Sequence, residues 1–388
     1  MCNKNNRLVF VGGEDVRMRI PMLLALRDRG YDVFAIGSED EGEFLKHSIP
    51  YYKYSLYRWV GPLTDFRTIG ELTKLLLEIQ PDIVHGFDTK PSIYVPISGK
   101  RANVPYKIRT ITGMGYVFSS NNIIALLLRP VYRFLHRLAA RSADITIFQN
   151  NDDKSYFETN KMLGRSESHL VRSSGIDIQM FLEKIDSENI EIIRNELNLK
   201  GKIVITMVAR LVKDKGVIEF LKAAKKLKLK YNDVEFLLVG PVATEGSQAV
   251  SKDEILSYSD YVTFLGPRQD VPDILSASSV FVLPSYYREG VPRILLEAGV
   301  AGLPLITTNM PGCKEVVEIN KNGCLVEPKN IESLVHAMEY LIKMPNAQRC
   351  EMGKNSKKIV VDNFSLEKVL GAYDRIYRSM SDKVRVNG

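Results

Sequence analysis

Cysteine and histidine are scarce in this sequence. Four cysteines and five histidines occur among 388 residues, and no two cysteines form a C-x-x-C pair. A chain of this length with so few cysteines does not carry a disulfide framework, and it offers no Cys/His cluster with zinc-finger spacing. The composition therefore argues against a disulfide-rich secreted protein and is typical of a reducing cytoplasm.

Long apolar runs are also lacking. The N-terminus is too polar for a signal peptide, and the run Ile123–Leu128 is ended by Arg129. A membrane-spanning helix needs ~18–20 consecutive apolar residues. We therefore expect a protein without a spanning helix, either soluble in the cytoplasm or peripheral at the inner face of the cytoplasmic membrane.

Acidic residues are missing from one stretch of a chain whose net charge is +7. Residues 89–143 contain no acidic side chain and nine basic ones. Such a field attracts phosphates, nucleic acid or an anionic bilayer. Within it, Arg129, Arg133, Arg137 and Arg141 recur every four residues, which predicts a basic stripe on a helix beside an apolar surface.

Two further arginines, Arg17 and Arg19, precede the apolar residues of the first predicted helix. A basic amphipathic helix is typical of a membrane-surface segment. We therefore expect this helix and the arginine stripe to dock the N-terminal half on anionic lipid. The alternative is a pair of ordinary domain helices, each with a solvated basic face.

What the sequence does contain is a regular alternation of short apolar strands with helical patterns. This alternation predicts βαβ units and parallel sheets in two α/β halves, joined by a linker within residues 171–198. A length near 400 residues also favours two domains. The predicted strands are Leu8–Val11, Tyr31–Ile36, Asp82–His85, Tyr106–Thr110 and Asp144–Phe148, then Ile203–Val208, Phe236–Gly240, Val262–Gly266, Val280–Leu283 and Pro304–Thr307.

Ligands bind beyond the carboxyl ends of the strands in open parallel sheets, so residues that follow a strand are candidates for the site. Arg210 and Lys215 follow one strand and precede a helix, an arrangement suited to a diphosphate; a solvated basic loop is the alternative. Glu289 and Glu297 are eight residues apart near the start of another helix, so both carboxylates are expected on one side. They are suited to accept hydrogen bonds from sugar or ribose hydroxyls.

Together these residues resemble a known signature. Arg210, Lys215 and the E-x7-E pair, in this order, resemble the retaining GT-B glycosyltransferases of family 4. The likeness covers most of the chain and continues at Gly12-Gly13, at residues 171–177 (VRSSGID, with Ser174 where the family has Asn), at residues 311–317 (PGCKEVV) and at residues 322–326 (NGCLV).

The resemblance implies an α/β fold of the GT-B type, in which two facing Rossmann-like parallel-sheet domains have the active-site cleft between them. Residues 1–175 would form the domain that faces the acceptor and the membrane. Residues 176–365 would form the domain that binds the nucleotide sugar. A C-terminal helix of about residues 366–388 would pack back on the first domain.

The resemblance also implies a role for each matched residue. Arg210 and Lys215 would neutralise the donor diphosphate and stabilise the leaving nucleoside diphosphate. Glu289 would contact the transferred sugar, and Glu297 would hold the nucleotide ribose. Backbone groups would contact the base or sugar at Gly266, Gly290, Val291 and Pro292, and Gly12 and Gly13 would approach the diphosphate or the acceptor. Family members usually need no metal and no cofactor besides the nucleotide sugar.

Two weaker signals follow strands in the first half. The segment Gly113, Gly115 and Tyr116 resembles an acceptor segment of polysaccharide-assembly members, although Thr112 stands where many have histidine. His85 is a candidate catalytic residue or substrate contact, with a satisfied histidine at a strand end as the alternative. Asp88 and Lys90, which follow the same strand, are further candidates.

The predicted function is transfer of a hexose or N-acetylhexosamine from a UDP-sugar to a polyprenyl-diphosphate-linked saccharide, such as undecaprenyl diphosphate carries in O-antigen or capsule assembly. The product would have an α-glycosidic bond. Two alternatives stay open. A GT-B-fold UDP-sugar 2-epimerase would need histidines and carboxylates at the site, and a basic nucleic-acid-binding protein would need exposed aromatics among the basic residues.

Overall fold

The computed structural model describes residues 6–13, 15–57, 61–119, 122–242 and 248–387. The chain divides into two compact units, an N-terminal unit of Met1–Gly175 with Leu366–Gly388, and a C-terminal unit of Ile176–Ser365. Each unit is a parallel sheet with helices on both faces. This is the α/β architecture that the alternating strand and helix patterns predict.

Both sheets are fully parallel in the part of the chain described. In the N-terminal unit the strands are β1 (Arg7–Val11), β2 (Asp32–Gly37), β3 (Tyr51–Lys53), β4 (Ile83–Gly86), β5 (Tyr106–Ile111), β6 (Ile145–Phe148) and β7 (Glu167–Leu170), in the order β3-β2-β1-β4-β5-β6-β7. In the C-terminal unit they are β8 (Ile203–Val208), β9 (Val234–Val239), β10 (Thr263–Gly266), β11 (Val280–Leu283), β12 (Leu305–Thr308) and β13 (Gly323–Val326), in the order β10-β9-β8-β11-β12-β13.

The helices alternate with these strands. They are α1 (Ile20–Asp28), α2 (Gly42–Lys46), α3 (Pro62–Ile79), α4 (Pro91–Arg101), α5 (Gly115–Ser119), α6 (Ile123–Ala140), α7 (Asn151–Thr159), α8 (Ile178–Glu183), α9 (Ser187–Glu196), α10 (Val217–Lys228), α11 (Lys252–Leu256), α12 (Val271–Ala277), α13 (Arg293–Val300), α14 (Ile331–Lys343), α15 (Asn346–Phe364) and α16 (Leu366–Asn387).

Strand β1 shows why the N-terminal sheet has helices on both sides. Side chains alternate between the two faces of a strand, and a sheet buried on both faces needs apolar residues at every position. Leu8 and Phe10 pack in a core with α1 and α16, whereas Val9 and Val11 pack in a second core with α3 and α4. Helix α16 therefore completes one face of the N-terminal sheet.

Polar side chains fix the starts of several helices by accepting a backbone N–H. Asn122 accepts from Ile124 N at the start of α6, and Asp177 accepts from Met180 N at the start of α8. Gly216 caps α10 with a positive φ of 77°. A side chain at this position would place its Cβ 2.2 Å from the carbonyl oxygen of Pro284, so the approach of this turn to β11 requires glycine.

The linker prediction is only partly right. The two units meet within residues 171–198, at Gly175 and Ile176, but most of that segment is not a linker, because α8 and α9 form within it and Ile193 is buried in a core with β8 and α12. Three short strands, β3, β7 and β13, were not predicted. They pair only at sheet edges and are three or four residues long, so their apolar pattern is weak.

Candidate functional site

A pocket opens at the carboxyl ends of the strands in the C-terminal unit. Its volume is about 320 Å³. It lies over β10, β9, β8 and β11, where the strand order of the sheet reverses between β8 and β11. Such a reversal point is where open α/β sheets bind their ligands. The lining residues are Val208, Ala209, Arg210, Lys215, Val239, Gly240, Pro241, Pro267, Arg268, Val271, Leu283 and Ile294.

Three cationic side chains line this pocket. Arg210 and Lys215 were predicted from the sequence; Arg268, directly after β10, was not. Arg268 could have been found from its position two residues after Gly266, at the end of a predicted strand. Only the backbone of Gly266 was considered there. Arg268 Nε donates to Asp270 Oδ1 at 2.7 Å, and this hydrogen bond lowers the pKa of the Asp270 carboxyl.

Lys215 is held in place by Glu289. Lys215 Nζ lies 2.6 Å from Glu289 Oε2, and Ser285 Oγ donates to Glu289 Oε1 at 2.8 Å. Both charged side chains are more than four-fifths buried, so the pair is rigid and only weakly screened by solvent. The structure therefore brings the predicted cation directly against one predicted carboxylate, and Ser285, which sequence reasoning missed, holds the other oxygen of that carboxylate.

The spacing argument for the two glutamates is partly wrong. Helix α13 begins at Arg293, so Glu289 lies in the preceding loop and is not two helical turns from Glu297 on one face. Glu297 lies on α13 and accepts from Arg293 Nε at 2.9 Å. It is half-buried and is not among the residues that line the pocket. The ribose role of Glu297 stays a prediction.

The loop that contains Gly290, Val291 and Pro292 is built against Gly312. Gly312 has a φ of 82°, and a Cβ there would lie 1.5 Å from the carbonyl oxygen of Gly290. The segment after Gly312 is structural, because Cys313 is buried and Asn322 accepts from Glu318 N and donates to Val316 O. The family-like motifs at 311–317 and 322–326 thus position the loop that carries Glu289.

Gly266 ends β10 with a φ of 66°. Its carbonyl oxygen accepts from Gly240 N at 2.8 Å. This hydrogen bond joins the ends of β9 and β10 at the pocket. The predicted contact of the Gly266 backbone with a nucleotide base stays a prediction, and one acceptor of that backbone is already engaged.

A second polar cluster lies at the switch point of the N-terminal sheet, beyond the ends of β1, β4 and β5. Gly13 N donates to Asp88 Oδ2 at 3.4 Å, Thr112 Oγ1 donates to Asp88 Oδ1 at 3.3 Å, and Arg19 lies 3.4 Å from the same carboxylate. Burial, and to a smaller extent the negative charge of Asp88, raises the pKa of the Asp15 carboxyl to about 6. Asp15 was not predicted, because nothing in its sequence context marks it.

Gly12 is engaged within its own unit. Its N–H donates to Ile36 O, and its carbonyl accepts from Tyr54 Oη at 2.9 Å. A Cβ at this position would lie 2.8 Å from Cβ of Val16, so close packing of the following turn explains the glycine. Gly113 and Gly115 have φ of 127° and 65° and follow β5, as expected of a turn at the strand end. The side chain of Tyr116 lies outside the described residues.

His85 is a histidine with satisfied hydrogen bonds near a strand end, which was the alternative to a catalytic role. It is fully buried in β4, with Nδ1 2.7 Å from Tyr377 Oη and Nε2 2.7 Å from Thr110 Oγ1. Burial holds the pKa of His85 well below its usual range, so the ring is neutral. A buried imidazole with both nitrogens bonded inside one unit does not meet a substrate, and the structure contradicts its interpretation as a catalytic residue.

The predicted basic surface is also corrected. Arg19 is buried, with Nη1 3.2 Å from Ser174 Oγ and Nη2 3.4 Å from Asp88 Oδ1, so it does not face a membrane. Arg17 is exposed and pairs with Glu39. Ser174, which stands where the family has asparagine, therefore accepts a hydrogen bond from Arg19.

The four arginines of the stripe divide along α6. Arg129 Nε donates to Val117 O, Arg133 donates to Tyr156 Oη, and Arg137 donates to Asn160 O. Arg137 and Arg141, at the C-terminal end, stay exposed. The stripe is therefore only partly a solvent-facing basic surface, because Arg129 and Arg133 are partly buried against their own unit and Arg137, although exposed, also donates to it.

Among the described residues, no group of three or more histidine, cysteine, aspartate or glutamate side chains is placed to hold a metal ion. No helix within the same residues is long and apolar enough to cross a bilayer.

Comparison with known families places the chain among sugar-transferring enzymes. Residues 189–359 match the family described as glycosyl transferases group 1, and residues 8–152 match the family described as glycosyl transferase 4-like. The two matches fall one in each unit, and residues 153–188 lie between them.

Two curated relatives are similar over nearly the whole chain. One is the N,N'-diacetylbacillosaminyl-diphospho-undecaprenol alpha-1,3-N-acetylgalactosaminyltransferase of Campylobacter jejuni, 28% identical over 96% of this chain and 99% of its own. Another is the UDP-Gal:alpha-D-GlcNAc-diphosphoundecaprenol alpha-1,3-galactosyltransferase of Escherichia coli, 28% identical over 87% of this chain and 86% of its own.

Solved structures show the same fold at lower identity. The Anabaena protein HepE, solved in complex with UDP-glucose, superposes with a TM-score of 0.77 at 20% identity, over 96% of this chain and 99% of its own. A glycosyltransferase from Rickettsia africae gives a TM-score of 0.77 at 18% identity, over 97% and 99% of the two chains. At these identities the likeness concerns the fold alone.

Proposed function

Since the chain belongs to the family 4 glycosyltransferases of GT-B fold, we propose that it moves a hexose or N-acetylhexosamine from a UDP-sugar to a polyprenyl-diphosphate-linked saccharide. The proposal includes retention of configuration and an α-glycosidic product. What supports it most directly is the pocket at the switch point of β8 and β11, lined by Arg210, Lys215 and Arg268. Three cations around one small pocket suit a ligand with a diphosphate.

The donor is proposed to bind with its diphosphate at these cations. Arg210 can bind two phosphate oxygens with its planar guanidinium, and Lys215 supplies a point charge. Lys215 stands directly before Gly216, the N-terminal cap of α10, and backbone N–H groups at a helix start add positive potential toward an anion. The pairing of Lys215 with Glu289 fixes the ammonium before substrate arrives, which avoids reorganisation during the reaction.

In the proposed reaction, the bond between the anomeric carbon and the β-phosphate oxygen breaks and UDP leaves with the electron pair. A new bond forms between that carbon and an acceptor hydroxyl oxygen, whose proton passes to the released UDP or to solvent. Charge develops on the departing diphosphate, so Arg210 and Lys215 stabilise the transition state more than the ground state. We propose that this fixed charge suffices and that no metal or cofactor is required.

The acceptor is proposed to meet the N-terminal unit at the cluster around Asp88. The Asp88 carboxylate has contacts of 3.3–3.4 Å, which are long for hydrogen bonds, so it keeps capacity for a sugar hydroxyl. Gly113 and Gly115 follow the neighbouring strand. The named relatives from Campylobacter jejuni and Escherichia coli, which act on diphosphoundecaprenol-linked sugars, support a lipid-linked acceptor. We place the enzyme at the inner face of the cytoplasmic membrane for the same reason. A Staphylococcus aureus relative named as a capsular polysaccharide biosynthesis glycosyltransferase, 24% identical over 91% of this chain, supports a role in polysaccharide assembly.

The epimerase alternative is not favoured. The curated relatives are transferases, and no histidine is among the residues that line the described pocket. A transferase releases UDP and joins two sugars, whereas an epimerase leaves the sugar nucleotide intact.

The experiment that tests the proposal screens nucleotide sugars for thermal stabilisation of the protein, since a ligand that binds only the folded state raises the melting temperature. Stabilising donors are then supplied, in EDTA, with a polyprenyl-diphosphate N-acetylhexosamine. We expect UDP release coupled to a product whose anomeric proton shows an α linkage. Stabilisation by no UDP-sugar, or a β-linked product, would contradict the proposal.

A further inference from the structure

Helix α6 exposes an apolar face. Leu127 and Phe134 are 72% and 62% exposed, although α6 is a well-formed helix of a folded unit. An amphipathic helix normally turns its apolar stripe toward the core. Here small or polar side chains, Ala125, His136 and Ala139, are buried instead. We define the apolar face of α6 as the exposed residues Ile123, Ile124, Leu127, Val131, Phe134 and Leu138.

These six residues share one side of the helix. Successive residues of an α-helix rotate by about 100°, which places all six within about 100° of arc. Steps of four residues drift by about 40°, so the arginine stripe winds around the helix. Arg129 and Arg133 lie on the flank that contacts Val117 and Tyr156, whereas Arg137 and Arg141 reach the border of the apolar face.

Helix α3 of the same unit also exposes large apolar side chains in its first turns, since Leu63 is 80% exposed and Phe66 is 64% exposed.

We propose that the apolar face of α6 inserts into the headgroup region of an anionic bilayer, with Arg137 and Arg141 on lipid phosphates. A helix with an apolar face bordered by arginine binds at that depth, parallel to the membrane plane. The inference deepens the proposed function, because it names the surface by which the enzyme reaches a lipid-linked acceptor.

Charge favours a bilayer over a second copy of the chain. In a two-fold dimer the same surface patch meets itself, which would bring the exposed arginines of two copies together. Residues 89–143 contain no acidic side chain that could compensate them. An anionic lipid surface supplies the opposite charge to all of them at once.

The test measures sedimentation of the full-length protein with vesicles of phosphatidylethanolamine and phosphatidylglycerol in a three-to-one ratio. Leu127→Gln/Phe134→Gln should lower the partition coefficient by about tenfold or more, because two large apolar side chains no longer enter the bilayer. Arg137→Gln/Arg141→Gln should bind these vesicles more weakly than wild type, but bind phosphatidylcholine vesicles equally well. The matched control is Leu229→Gln in the C-terminal unit, which removes a leucine that is 70% exposed.

Two outcomes would overturn the inference. One is vesicle binding by Leu127→Gln/Phe134→Gln equal to that of wild type. The other is a wild-type dimer in analytical ultracentrifugation that this variant dissociates, which would assign the face to a second copy. Stabilisation by UDP is measured in parallel on every variant. If UDP does not stabilise the wild-type protein, the proposed function is contradicted. Vesicle binding would still test whether the apolar face of α6 binds a membrane.

Discussion

Replacement of Lys215 by methionine should impair sugar transfer much more than it lowers the stability of the fold. Methionine keeps most of the apolar stem of lysine and removes the charge. Lys215 Nζ lies 2.6 Å from Glu289 Oε2, and Glu289 retains its hydrogen bond from Ser285 in the variant. Loss of one charged hydrogen bond costs ~1–3 kcal/mol of stability. A domain of ordinary stability stays folded after that loss.

The effect on transfer should be larger than the effect on folding. A unit charge ~4 Å from a developing phosphate charge interacts by roughly 4 kcal/mol at an effective dielectric constant of 20. Loss of one preorganised group that stabilises such charge typically costs about 10²–10³ in kcat. We therefore expect Lys215→Met to release UDP at least a hundredfold more slowly than wild type at saturating donor and acceptor.

The matched control is Lys213→Met, in the same short helical turn. Lys213 is exposed and does not line the pocket, so this variant should retain near-normal turnover. UDP release is measured with a coupled assay and folding with thermal denaturation. Turnover by Lys215→Met within a few-fold of wild type would refute the reasoning. A similar loss in Lys213→Met would also refute it, because general basic charge would then be the cause.

Three further predictions concern Glu297, His85 and Asp15. Glu297→Gln should raise the KM for the UDP-sugar by about tenfold, because one charged hydrogen bond to the ribose is weakened; an unchanged KM would remove Glu297 from the donor site. His85→Phe should lower the free energy of unfolding in urea by about 1–3 kcal/mol, because Tyr377 and Thr110 lose a buried partner; a kcat more than tenfold lower in the folded variant would restore a catalytic role. The folded pKa of Asp15, about 6, lies above the ordinary 3.8, so its stabilising contribution is complete below pH 3.8 and is lost as the pH rises through 6. Denaturation of wild type should show this decline relative to Asp15→Asn, and parallel pH profiles would contradict it.

The interior strands of both sheets were predictable, whereas three of the four edge strands, β3, β7 and β13, were not. Buried strands such as β8 (Ile203–Val208) are continuous runs rich in β-branched residues, because parallel sheets are covered on both faces. Edge strands such as β3 (Tyr51–Lys53) need only a few backbone hydrogen bonds, so their sequence carries little pattern. The segment that contains α8 and α9 was taken for a linker, because α8 is only six residues long and four of the ten residues of α9 are charged.

The pocket illustrates which part of a site the sequence reveals. Arg210 and Lys215 were predictable, because they follow a strand and precede a helix. Ser285 and Arg268 were not, because nothing in the sequence shows that Ser285 donates to Glu289, four residues further on, or that Arg268 lines one pocket with Arg210 and Lys215. His85 also follows the rule for strand ends, yet its ring turns into the core toward α16, nearly 300 residues away in sequence. Position along the chain predicts candidates, and tertiary packing decides which of them face the ligand.

The most direct test of the donor pocket is a calorimetric comparison of UDP and UMP binding to wild type and to Arg210→Gln, with Lys213→Met as control. If Arg210 and Lys215 bind the second phosphate, wild type and Lys213→Met should bind UDP at least tenfold more tightly than UMP. Arg210→Gln should lose most of this preference. Equal affinity of wild type for UDP and UMP, or an undiminished preference in Arg210→Gln, would contradict the account.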